Sequence, residues 1–72
     1  MARRTLRKVR RDRDISQIEL GQRAGLSQRI IWAIEHGYRL ASPDERVAIA
    51  EALGLSTTAI TWPKDVKEQA TA

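Results

Sequence analysis

Serine and glycine punctuate this chain at regular intervals, and the spacing suits a series of short helices. Ser16 precedes Gln17-Ile18-Glu19, the pattern of a capping box with serine at the N-cap and glutamate at N3. Ile15 and Leu20 stand at the two positions of a hydrophobic staple. Ser27 opens a second segment with Leu26 and Ile31 as its staple pair. Ser42 opens a third, with Pro43 at N1 and Glu45 completing a capping box. Ser56 opens a last short one, with Leu55 and Ile60 as staple. Gly25, Gly37 and Gly54 each follow a periodic apolar segment, where a left-handed residue ends a helix. Apolar residues recur at helical spacing and strand alternation is missing. The reading is all-α, with five helices over about 3–12, 17–24, 28–36, 43–53 and 57–62.

At 72 residues the chain is read as one domain over 1–62, followed by a flexible tail at 63–72 that lacks apolar pattern. A core of this size is marginal alone and gains from self-association or idealised helix packing. Cysteine is absent, which excludes disulfides and thiolate metal sites, and His36 is the one histidine. No metal and no cofactor is expected. With no carboxylate cluster at catalytic spacing either, an enzyme is not expected. No apolar run approaches the roughly 20 residues that cross a bilayer, and the arginine-rich start lacks the apolar stretch of a secretory signal. A cytoplasmic protein without a membrane partner is the expectation. The net charge of +4 is unevenly placed. Residues 1–13 carry seven basic residues and one acidic, a net of +6; residues 14–72 carry six basic and eight acidic, a net of −2. A basic end on a near-neutral body suits a polyanion partner or, more simply, a solvated first helix.

The segments 17–24 and 28–36 are joined by Gly25-Leu26-Ser27. Two short helices across a three-residue turn containing glycine make a helix-turn-helix, although an ordinary αα-corner has the same spacing. At 100° per residue, Ile31 and Ile34 share one side of the second helix, with Ser27 and Glu35 near its edges. Gln28, Arg29, Trp32, Ala33 and His36 fall on the other side. Major-groove readers use such groups: glutamine on adenine, arginine on guanine, apolar surface on the thymine methyl. Trp32 fits either a base contact or packing against the protein's own surface. On the first helix, Leu6, Val9 and Arg10 share a face, so Arg10 stands beside the core and needs a carboxylate partner. Glu35 is the candidate, in a structural ion pair that ties the first helix to the recognition helix.

The segment SQIELGQRAGLSQRIIWAIEHG, Ser16 to Gly37, resembles the helix-turn-helix of the phage repressor–Cro type, also called Xre-type. VAIAEALGL, Val47 to Leu55, is similar to that family's fourth helix. The resemblance implies a compact five-helix, lambda-repressor-like domain that binds a double-stranded DNA operator, usually as a homodimer on a two-fold site. It implies that Gln28, Arg29 and Ala33 face bases, with Trp32 among them. It implies phosphate contacts from Gln17, Ser27, Tyr38 and Arg39, and it matches Arg10 and Glu35 to a paired arginine and glutamate. Asp14 departs from the pattern, standing where glycine is usual. Gly21 departs too, standing where alanine is usual; it either permits close helix contact or simply weakens its helix.

The function expected is that of a small sequence-specific transcriptional regulator, a repressor. Lysine and arginine displace counterions from phosphate, and the recognition helix at 28–36 discriminates bases in the major groove. Ile60 and Trp62 lie where little chain remains to cover them, so they either close the core or form a dimer contact. The competing reading is a protein-interaction module on the same fold, such as an antitoxin or coactivator, with Trp32 and Trp62 as anchors.

Overall fold

The computed structural model describes residues 4–63. Their order is strand β1 (Arg4–Thr5), helix α1 (Leu6–Asp12), α2 (Gln17–Ala24), α3 (Gln28–His36), α4 (Pro43–Ala52), a 3₁₀ turn (Thr57–Ala59) and strand β2 (Ile60–Thr61). The expected tail at 63–72 lies, apart from Pro63, outside the described residues.

Each helix begins where a hydroxyl can satisfy a free amide. The side chains of Thr5, Ser16, Ser27 and Ser42 accept from the amides of Lys8, Glu19, Ile30 and Glu45 at 3.0–3.2 Å. Only Ser42 has the full reciprocal box, because Glu45 Oε1 accepts from the Ser42 amide at 2.9 Å. At Ser16 the serine half alone forms, and the Glu19 carboxylate pairs instead with Arg23 one turn later, at 2.5 Å. The ends of the helices follow one scheme as well. Ile15, Tyr38 and Leu55 each donate an amide back to a carbonyl five residues earlier, that of Arg10, Ala33 and Ala50. This is the Schellman ending, and it needs a left-handed residue just before the returning amide. Glycine fills that position after α3 and α4, but after α1 it is Asp14, at φ 54°. A short polar side chain tolerates this conformation at a modest cost that glycine avoids.

The core is built from all four helices, the loops between them and β2. Leu6 and Val9 of α1, Ile15, Leu20 of α2, Ile31 and Ile34 of α3, Ala41, Ile49 and Ala50 of α4, Leu53 and Ile60 are all buried. Their burial, rather than the propensity of seven- to ten-residue helices, holds the fold together.

One expectation requires correction. Among the described residues there are four α-helices, not five. The segment read as a fifth helix, 57–62, is a single 3₁₀ turn followed by extended backbone. Ser56 makes no cap bond to it; its hydroxyl lies 3.0 Å from that of Thr58. The physical reason is local and tertiary together. Two threonines are poor helix formers, and Pro63 disfavours helical backbone at Trp62. The extended pair then finds a partner: β2 lies parallel to β1, Arg4 opposite Ile60 and Thr5 opposite Thr61. The same pairing starts α1 at Leu6 rather than at residue 3, since Arg4 and Thr5 are held extended. At the end of the described residues, one of the two open readings is favoured. Ile60 is fully buried, and Trp62 is half-buried against the core with its indole N–H donating to the Thr57 carbonyl at 2.9 Å. Both residues take part in closing the domain's own core, one of the two roles expected of them.

Candidate nucleic-acid interface

The turn between α2 and α3 is set by a close approach that requires glycine. A Cβ on Gly21 would press into the backbone carbonyl oxygen of Leu26, far inside van der Waals contact. The Gly21 carbonyl meanwhile accepts the Leu26 amide at 2.8 Å. Gly25 ends α2 in left-handed backbone, and Ser27 caps α3. Gly21 therefore permits close contact between its helix and the turn, which fixes where α3 begins.

With Ile31 and Ile34 turned into the core, α3 presents Gln28, Arg29 and Trp32 to solvent, while Ala33 and His36 are half-buried. Behind this face runs a polar relay. Arg10 Nε donates to Glu35 Oε2 at 2.6 Å and its Nη2 to Oε1 at 3.2 Å, while Nη1 donates to the Ile15 carbonyl at 2.7 Å. The Arg10 side chain is 12% exposed and that of Glu35 is 0% exposed. Gln17, half-buried at the start of α2, donates from Nε2 to Glu35 Oε1 at 3.1 Å. Gln28 in turn donates from Nε2 to Gln17 Oε1 at 2.9 Å.

The relay has a direction. An ionised carboxylate only accepts, so the Gln17 nitrogen must face Glu35 and its oxygen must face Gln28. Gln28 therefore donates one of its two N–H groups inward. It keeps the other N–H and its carbonyl oxygen for the outside, the donor–acceptor pair that adenine requires in the major groove. An ion pair buried between α1 and α3 thus sets the polarity of an amide on the surface.

The other candidate phosphate ligands are placed as follows. The Ser27 hydroxyl accepts from the Ile30 amide at 3.2 Å, and its residue is exposed. Arg39 is exposed in the loop after α3 and donates from Nη2 to Glu45 Oε2 at 2.6 Å. The Glu45 carboxyl is held below the ordinary glutamate range, first by its bond from the Ser42 amide and then, against burial, by Arg39. Tyr38 is exposed just past the end of α3. The Schellman ending of α3 folds it back, and its ring stacks on Trp32 with centroids 5.6 Å apart and planes at 24°. His36 stacks on the same indole at 4.3 Å and 24°. Its Nδ1 lies 2.9 Å from the Trp32 carbonyl oxygen, so Nδ1 carries a proton there. Trp32 and Tyr38 remain 40% and 38% exposed.

Sequence reasoning placed the faces of α3 but missed this stack and the contact between Gln17 and Gln28. The i,i+4 spacing of Trp32 and His36, and the position of Tyr38 just past a helix-ending glycine, were the signals for the stack. Of the basic residues before α2, Arg4 and Lys8 both pair with Asp12, at 2.8 and 3.4 Å, so part of that charge is offset within the domain.

No curated protein sequence matches the chain closely enough to be informative. A family model described as helix-turn-helix matches residues 6–60, the span from the start of α1 to the start of β2. Among the described residues no helix is long and apolar enough to cross a membrane. The match covers most of the sequence and includes all four helices, so the chain belongs to the Xre-type helix-turn-helix family of DNA-binding regulators.

Proposed function

We propose that this protein reads a specific double-stranded DNA operator with α3 in the major groove and acts as a transcriptional repressor in the cytoplasm. The observation that carries the reading is the outward, oriented amide of Gln28, held by Gln17 and, through it, by Glu35. Gln28 and Arg29 supply base contacts, with Trp32 and Ala33 as the apolar part of the same face. Gln17, Ser27 and Arg39 contact phosphate along the rim, and the amides that open α2 and α3 add to them. Two copies on a two-fold operator would place their recognition helices about 34 Å apart, one turn of the duplex. That arrangement follows the family resemblance. In the interaction-module alternative Trp62 would be an anchor, and its half-burial and its bond to Thr57 speak against that role.

Selection of binding sites from random DNA tests the reading. The expected result is one enriched half-site, repeated in inverted orientation, with affinity that falls steeply as salt rises. Gln28→Ala should weaken binding to that site by roughly 5- to 150-fold, the equivalent of one bidentate base contact at about 1–3 kcal/mol. It should leave binding to unrelated DNA unchanged. Failure to enrich any motif, with weak binding indifferent to salt, would refute DNA reading by this domain.

A further inference from the structure

The rings of Trp32, His36 and Tyr38 form one stacked unit on the outward side of α3. Resting on the proposed DNA reading, we infer that this unit is a preformed reader of the C5-methyl group of thymine. Four observations converge on it. Trp32 lies three and four residues after Arg29 and Gln28, so whatever those two engage, the indole lies beside it. The ring is fixed before binding. His36 covers it at 4.3 Å, and the bond from His36 Nδ1 to the Trp32 carbonyl at 2.9 Å holds the covering ring in place. Tyr38 is fixed from the other direction, because its amide is tied to Ala33 at 2.9 Å by the ending of α3. Despite this packing, Trp32 keeps 40% of its surface open, one helical turn after Gln28 on α3.

The chemistry of the groove selects the ligand. The base edges of the major groove are donors and acceptors, and the one apolar group among them is the thymine methyl. An indole carried into that groove on α3 either meets a methyl or sets an apolar ring against polar edges that lose their water. A rigid aromatic with two side-chain torsions already fixed gives up little freedom on docking. The unit also revises the role of Tyr38, from a phosphate ligand to a support for Trp32. Ala33, on the same face, is the competing candidate for a methyl contact.

Replacing thymine by uracil removes the methyl and nothing else, and the 72-residue chain serves for the whole experiment. On the operator selected above, each thymine is replaced by deoxyuridine in turn, and affinity is measured for the wild type, Trp32→Ala and His36→Ala. The expected result is one thymine position at which uracil weakens wild-type binding about fourfold, the equivalent of one buried methyl. Trp32→Ala should bind the thymine and uracil operators equally, and His36→Ala should narrow the difference. Uracil tolerated at every position, on an operator that still requires Gln28, would overturn the inference and leave the DNA reading standing. So would a uracil effect that persists in Trp32→Ala, since Ala33 would then be the methyl contact. If Trp32→Ala does not fold, His36→Ala decides the matter: a narrowed uracil difference supports the stacked unit, and an unchanged one would overturn the inference. Failure to select any operator would remove the DNA reading and this inference with it.

Discussion

Glu35→Ala should strongly destabilise this protein, and the reason lies in what it strands. The Glu35 carboxylate accepts from Arg10 Nε, Arg10 Nη2 and Gln17 Nε2 at 2.6, 3.2 and 3.1 Å, and its side chain is wholly buried. Without it, the Arg10 guanidinium stays inside the fold with the Ile15 carbonyl as its remaining partner, at 2.7 Å. Breaking a buried pair from one side costs about 3–5 kcal/mol, because a charge is left uncompensated. A chain of this length has roughly 4–11 kcal/mol of stability in total. Urea denaturation followed by circular dichroism should show a large fall in the midpoint with the slope retained. Thermal melts should fall by at least about 12 °C. The pair's contribution to stability is separate from the cost of breaking it. The double variant Arg10→Met/Glu35→Leu strands no charge and should recover most of the loss. It should still bind its operator less tightly than the wild type, since Gln17 no longer has a carboxylate to orient it towards Gln28. A Glu35→Ala midpoint within about 1 kcal/mol of the wild type would show that water reaches Arg10 and that the pair is not a structural tie.

Two further outcomes follow from the geometry. Gly21→Ala places a methyl against the Leu26 backbone carbonyl, which cannot swing aside as a side chain would. Helix propensity favours alanine by about 1 kcal/mol and overpacking costs about 1–3, so a net loss of up to about 2 kcal/mol is expected in denaturant melts; a raised midpoint would contradict the close approach. The depressed Glu45 carboxyl makes stability depend on acid. The unfolded chain protonates this group first, so its contribution is complete above the ordinary glutamate range near pH 4.3 and is lost as pH falls through the lower folded value. Melts between about pH 5 and 2 should therefore fall less steeply for Glu45→Gln than for the wild type, and parallel curves would show that the carboxylate contributes nothing.

How much of this was legible in the sequence depended on the range of the interaction. Helix starts and stops are local. Ser27 caps an amide three residues on, and Gly37 ends a helix by a bond spanning five residues, so both α2 and α3 fall where the serines and glycines place them. The same periodicity put Ile31 and Ile34 inside and Gln28, Arg29 and Trp32 outside. Helix-face spacing also paired Arg10 with Glu35, 25 residues away, but for the segment after α4 local pattern gave the wrong answer. Ser56 and Leu55 look like a helix start, but Ile60 and Thr61 pair with Arg4 and Thr5, more than fifty residues away.

Residue types and spacing by themselves determined a chain of short capped helices with a turn at Gly25-Leu26-Ser27, because hydroxyl caps, glycine endings and apolar period act within one or two turns of backbone. The tertiary structure alone decided which way the Gln28 amide points, that Tyr38 lies on Trp32, and that the chain's two extended ends join. These depend on side chains, and in β1 and β2 on backbone, from separate parts of the chain meeting at hydrogen-bond or stacking distance, and packing sets those meetings.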